Sequence, residues 1–414
     1  MPQRSKLKIR WLVTIGCLVA LLLSYSLLWL RMITNPVQYT GADFITFYTV
    51  GTIGQRYGLA RVYDFNLQKA VEEEVVGFKI DVSNVLPHNH VPFINPVLVL
   101  LVMVTGGKYI PGFVVWDLLL IGLYALAMVV ILKMQPDTLE RNALNVAAIF
   151  LFFPVFVSIL NAQDTALLVL GAAGLFYGRL RGRDWAAGLG LALMTVRPHI
   201  ALLLALPFLF RNRRVFWWFC AGASFLVAVS VLQLGVTGVK DFISILFDTT
   251  VRSRETAMVN FIGLVRRLLP GLDAGIIRWL GWGLFFLTMA FLCVVWRKCK
   301  QVDGRILGLA LLASLFVAPH LVYHDLALLL FPLLVALGMA LERKTIGPKD
   351  VPLILLVISV VLLLSFVAEA AQYFFPYLLM AVLAVYLWKP EEVTSRLKSL
   401  FRGKEKLVGQ EVKR

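Results

Sequence analysis

Apolar runs near the length of a membrane-spanning helix recur along this chain from residue 11 to residue 388. About 20 such residues cross the hydrocarbon core of a bilayer as a helix. With 60% hydrophobic and only 15% charged residues, the 414-residue chain lacks the polar surface of a water-soluble fold. The runs are continuous rather than alternating, which excludes a β-barrel. The reading is an all-α polytopic membrane protein, with residues 1–414 as one integral-membrane domain.

Charge gives the runs a direction. A net charge of +16 would suit a nucleic-acid binder, but 27 of the 40 Lys and Arg fall in segments that share one side when basic loops are kept together. That bias is the positive-inside pattern, so no nucleic-acid partner is implied. Residues 1–10 carry Arg4, Lys6, Lys8 and Arg10 and no acid, so residues 11–30 cross outward and Asp43 emerges on the outer side. The basic cytoplasmic tail, residues 389–414, holds eight of the 27 and is expected against anionic headgroups. Cys17, Cys220 and Cys293 lie in apolar runs and Cys299 in a basic loop, which gives no outer disulfide framework. The first run lacks a small-residue cleavage site and is expected to stay as an anchor. No N-x-Ser/Thr acceptor occurs, which favours a bacterial inner (plasma) membrane.

Keeping basic loops inside yields a path of twelve membrane segments. After the first comes an outer segment, residues 31–112, with an amphipathic surface helix expected near 43–57 and a short apolar helix near 93–104. Spans follow near 113–132, 143–160 and 165–178. The next apolar stretch, 184–210, lies between two basic clusters and is broken by Arg197-Pro198-His199. Each arm reaches only about 16–20 Å at a helical rise of 1.5 Å per residue, so the stretch is expected to enter and return. Spans near 215–234 and 276–296 flank a second outer segment, 235–275, and the last four lie near 305–318, 325–341, 351–368 and 373–388.

Charged groups at membrane depth cost about 2.5–3.5 kcal/mol on insertion scales, so those a chain retains at span ends are candidates for function. On this path Asp43, Asp164, Arg197, His199, His320, His324 and Asp325 converge on the outer side. Asp43 is a candidate general base, with a helix N-cap, accepting the amide of Ile45 or Thr46, as its structural alternative. Arg197 suits a phosphate, which its guanidinium can grip through two nitrogens, and snorkelling is the bland alternative. His320 and His324 have zinc-ligand spacing if helical, but without a third ligand a sugar or phosphate role is preferred to a metal. His88-Asn89-His90 reads as exposed loop and Glu72-Glu73-Glu74 as a wetted helix face. No D-x-D pair, phosphate-binding glycine loop or Ser-His-Asp order supports nucleotide-sugar, NTP or serine-hydrolase chemistry.

The run Gly41-Ala42-Asp43-Phe44, then Tyr63-Asp64, Asn95-Pro96, Gln163, Arg197-Pro198, and Pro319-His320 with Tyr323-His324-Asp325, resembles glycosyltransferase family 87. That family has the GT-C fold and includes bacterial α-mannosyltransferases that use polyprenyl-phosphate-mannose. The chain departs from it in having Ala162-Gln163 where Gly-Gln is common and Arg197-Pro198 where Lys-Pro is common. The resemblance implies a GT-C-type helical bundle that moves a hexose, expected to be mannose, from a polyprenyl phosphate to a glycolipid or glycan acceptor. It implies inversion, with Asp43 as base, Arg197 and His199 on the donor phosphate, and no cofactor or metal. Asn95, Gln163, Asp164, His320, Tyr323, His324 and Asp325 would bind substrate. A lipid-linked glycan flippase, which should show inverted repeats, and an outer-face glycan ligase are the alternatives.

Overall fold

A computed structural model describes residues 2–34, 43–134, 143–247, 255–299, 301–368 and 374–388. The basic tail at 389–414, Gly41, Ala42, and Asp248, Arg252 and Arg254 of the second outer segment lie outside the described residues. Among the described residues every regular element is a helix. A long first helix, α1 (Pro2–Thr34), is followed by three shorter ones: α2 (Phe44–Tyr57), α3 (Phe65–Val76) and α4 (Asn95–Val104). The bundle continues with α5 (Tyr109–Met134), α6 (Ala143–Phe150), α7 (Phe153–Leu160) and α8 (Thr165–Leu180). Next come α9 (Asp184–Leu193), α10 (Pro198–Ala205), α11 (Phe208–Arg211), α12 (Arg213–Phe247) and α13 (Phe261–Leu268). The chain then forms α14 (Ala274–Lys298), α15 (Gly304–Val317), a 3₁₀ helix at Tyr323–Leu329, α16 (Leu330–Glu342), α17 (Asp350–Val367) and α18 (Phe374–Trp388).

The breaks between these helices follow local chemistry. Pro154 opens α7, and α6 and α7 meet at a bend of 56°. Pro198 opens α10, since proline is tolerated in a first turn but not inside a helix. Gly235, at φ +61°, interrupts α12 and kinks it about three turns before its end, a conformation glycine adopts without steric cost. Helix α9 packs between α8 and α12. It lies against α8 backbone to backbone: a Cβ on Gly190 would stand 2.5 Å from the Gly171 carbonyl oxygen. Small residues permit this approach, the usual means of association where water supplies no hydrophobic drive.

Among the described residues six helices are long and apolar enough to cross a membrane, or seven if α6 and α7 are one bent span. The chain is therefore a multi-pass membrane protein. The other five expected segments form shorter apolar helices, among them α8, α15 and α18. Leu22, Phe225, Leu232, Trp279 and Leu287 project outward, as on a lipid-facing surface. Of these candidate spans, Tyr323–Glu342 is the most enclosed.

Helix α2 differs from its expected place on a surface. Every residue from Phe44 to Ile53 is buried, all of the helix but its last turn, with α3 and α4 packed against it. Phe44 and Phe47 are enclosed by Tyr109, Phe113 and Trp116. The helical spacing of Phe44, Phe47, Tyr48 and Gly51 suggested one apolar face, but the intervening Thr46, Thr49 and Thr52 are small enough to be enclosed as well.

Candidate active site

A cavity of about 670 Å³ opens where the start of α2, the loop before α4, the α7–α8 turn, the α9–α10 break and the loop before the 3₁₀ helix meet. Asp43, His90, Asn161, Gln163, Arg197, His199, His320, Tyr323 and His324 line its polar part. Val85, Leu86, Val91, Phe242 and Leu246 line an apolar part, the last two from the arm of α12 beyond Gly235.

Asp43 occupies the N-cap position of α2 yet makes no side-chain cap bond. Its backbone carbonyl accepts from Thr46 instead, through both the amide and the hydroxyl. The capping alternative is thereby removed. The carboxylate accepts from Gln163 Nε2 through Oδ2, a contact of 2.5 Å. Gln163 follows Ala162, which sits at φ +54°. That left-handed geometry explains physically why glycine suits the position, and here the Trp116 indole bonds the Ala162 carbonyl at 2.8 Å.

Arg197 lies at the break between α9 and α10, and its guanidinium bridges two buried carboxylates. Nη1 meets Asp164 Oδ1 at 3.1 Å and Nε meets Asp325 Oδ1 at 3.2 Å. Asp164 and Asp325 have no exposed surface and stand behind the cavity wall rather than in it. Two enclosed carboxylates need this cation, since an unpaired buried charge is costly. The remaining nitrogen, Nη2, is 3.5 Å from His324 Nε2. The two-nitrogen grip expected for a phosphate is thus already taken by Asp164 and Asp325.

The residues expected to bind substrate separate into layers. Gln163, His199, His320, Tyr323 and His324 reach the cavity. The Tyr323 hydroxyl bonds the Leu362 carbonyl at 2.8 Å, so its ring rather than its oxygen faces the lining. His320 precedes the 3₁₀ helix, so it and His324 do not share a helical face. Asn260, not singled out in the sequence, holds the loop of His320 by donating to the Ala318 carbonyl at 2.6 Å. Asn95 is fully buried away from the cavity, with Nδ2 3.5 Å from the Tyr63 hydroxyl. Among the described residues no three His, Cys, Asp or Glu gather as metal ligands.

The loop at 83–91 corrects the reading of His88 and His90 as solvated. His88 is fully buried between Phe47, Tyr63 and His90. Burial pushes its imidazole well below the ordinary range, and His90 adds to this. His90 Nδ1 bonds Asp164 Oδ2 at 2.8 Å. Tyr63 donates to the His90 carbonyl at 2.7 Å, and Gln68 accepts from the His88 amide at 2.9 Å. Glu72, expected on a wetted face, is buried and accepts from the Leu86 amide at 3.2 Å. Burial raises its carboxyl to about 7, with the Leu86 amide opposing. Pro87 and Pro92 on either side of His88 and His90 were the available sign that this part of the loop is rigid.

A model of glycosyltransferase family 87 matches residues 93–321, more than half of the chain. The chain belongs to glycosyltransferase family 87. The family 87 match includes Gln163, Asp164, Arg197, His199 and His320, while Asp43, His90 and residues 323–325 fall outside it. No curated protein and no solved structure matches the chain. As a family 87 member with several spanning helices, it is a membrane glycosyltransferase.

Proposed function

We propose that this enzyme moves a hexose, mannose in our reading, from a polyprenyl phosphate to a glycolipid or glycan acceptor. The transfer occurs on the outer face of a bacterial inner membrane, within a GT-C-type bundle of twelve membrane segments. One observation carries the reading: the uncapped carboxylate of Asp43 shares a cavity with Arg197 and four imidazoles. A glycosyl transfer from a lipid phosphate needs a base at the acceptor hydroxyl and positive charge at the departing phosphate. It needs no general acid, because phosphate leaves as an anion.

In this mechanism Asp43 takes the acceptor proton as the oxygen attacks the anomeric carbon from the face opposite the phosphate. One displacement inverts the configuration. Gln163 orients the carboxylate through its bond to Oδ2 and leaves Oδ1 to the acceptor. Arg197 contributes field and one N–H from Nη2, while His199, His320 and His324 orient sugar hydroxyls or phosphate oxygens. The apolar walls at Phe242 and Leu246 suit the first isoprene units.

The test uses the full chain in lipid vesicles with radiolabelled polyprenyl-phosphate-mannose and a membrane glycolipid fraction as acceptor. Label should move to acceptor, and Asp43→Asn should lower that rate by about two to four orders of magnitude, the usual weight of a general base. Donor binding should survive the substitution. Transfer by Asp43→Asn at the wild-type rate removes Asp43 as base. Movement of intact donor between leaflets without transfer identifies a flippase instead.

A further inference from the structure

We propose that His90 is the cation that receives the leaving phosphate, with Asp164 as its positioning residue. The inference rests on the lipid-phosphate reading above and assigns its leaving-group contact. His90 lines the cavity, and its ring is packed against Phe47 and His88 at centroid distances of 4.7 and 5.2 Å. The bond from Nδ1–H to Asp164 Oδ2 occupies that nitrogen, so Nε2–H is the donor left for a ligand. Tyr63 anchors the same residue by its carbonyl oxygen. His90 is held by its ring at Nδ1 and by its backbone carbonyl before any substrate arrives.

Charge decides the role. Asp43, Asp164 and Asp325 bring three negative charges to the site, and Arg197, spread over two of the carboxylates, brings one positive. The donor is a phosphodiester monoanion, and its product, a lipid monophosphate, approaches a dianion. A site that stayed negative would oppose both binding and departure. One protonated histidine halves that excess, the acceptor proton passing to Asp43 removes the rest, and a carboxylate in contact marks which histidine it is. His90 is 2.8 Å from Asp164, whereas His324 Nε2 is 3.7 Å from Asp325.

In the step itself the acceptor oxygen bonds to the anomeric carbon as the carbon–oxygen bond to phosphate breaks. The bonding pair stays on the phosphate oxygen and the acceptor proton passes to Asp43. The Nε2–H of His90 hydrogen-bonds the new charge and keeps its proton. Transfer therefore gains more from His90 than donor binding does, which is the pattern of a transition-state contact.

His90→Gln keeps an N–H donor and removes the charge; His90→Asn is the second variant should the longer amide disturb packing on Phe47. Both are assayed as full-length protein in vesicles with the mannose donor and with polyprenyl monophosphate as product inhibitor. A charge-assisted hydrogen bond is worth about 10- to 100-fold. The expected result is a kcat lowered by about that factor and a polyprenyl-phosphate inhibition constant raised about tenfold or more. Donor KM should move by less than about threefold, since most of the charge develops after binding. His90→Arg should recover part of the tight product inhibition. Unchanged kcat and inhibition constant in an active enzyme overturn the role of His90 and leave the functional reading standing. Equal losses for donor and product would make His90 a structural residue and also overturn it. A wild-type protein that transfers no sugar from the lipid donor overturns both.

Discussion

At the residue scale, Arg197 shows how a side chain can be essential to a site without being free to act in it. Its guanidinium is held between Asp164 and Asp325, which have no exposed surface. Removing the cation leaves two buried carboxylates facing each other, a loss of about 3–5 kcal/mol for a broken buried pair. Arg197→Ala is therefore expected to lower thermal stability as well as activity, and Arg197→Ala with Asp325→Asn should regain part of the stability but not the activity. Melting of the purified variants in detergent checks this. A single variant as stable as wild type would assign the carboxylates to the neutral state. Arg197→Lys keeps one charge but cannot bridge two carboxylates with a planar fork, so we expect weakened stability with some transfer retained.

At the element scale, α3 acts as the clamp for the loop that carries His88 and His90. Asp64 caps it through the amides of Asn66 and Leu67, Gln68 holds the His88 amide, and Glu72 holds the Leu86 amide. Glu72 makes this clamp pH-sensitive. Its carboxyl is raised by burial from 4.5 to about 7, so the folded loop binds a proton more tightly than the open loop. Stability from this group is fully present below about pH 4.5 and is lost as pH rises through about 7. The difference is worth about 3 kcal/mol. Protection of the Leu86 amide against hydrogen exchange, corrected for intrinsic rate, should fall from pH 5 to pH 8, and Glu72→Gln should flatten that fall. The same slope in both proteins would assign it to another group.

At the scale of the whole molecule, the cavity sits at one end of the bundle, under the segment between α1 and α5. The basic clusters at Arg179–Arg183 and Arg211–Arg214 mark the other side on the positive-inside pattern. This orientation is tested by accessibility. In a protein freed of its four cysteines, Ser83→Cys, on an exposed part of the cavity loop, should react with an impermeant maleimide on intact cells. Arg213→Cys, also exposed, should react only after permeabilisation. Labelling of Arg213→Cys on intact cells would invert the molecule and move the transfer to the inner face.

Several features were legible without a structure. Apolar length and basic loops are local properties, so the spanning helices, the break at Arg197-Pro198 and the membrane class follow from sequence. The spaced residues from Asp43 to Asp325 carried the family resemblance, and the match over 93–321 agrees with it. What tertiary structure alone decided is which charges meet. Arg197 pairs with carboxylates 33 and 128 positions away, and His90 with one 74 away. No periodicity encodes such a pairing. A histidine in a polar loop reads as solvated until the opposite helix end, bearing a buried carboxylate, is brought against it. Inside a bundle of low dielectric that pairing is enforced by the cost of leaving a buried charge alone, and the enforcement acts through space rather than along the chain.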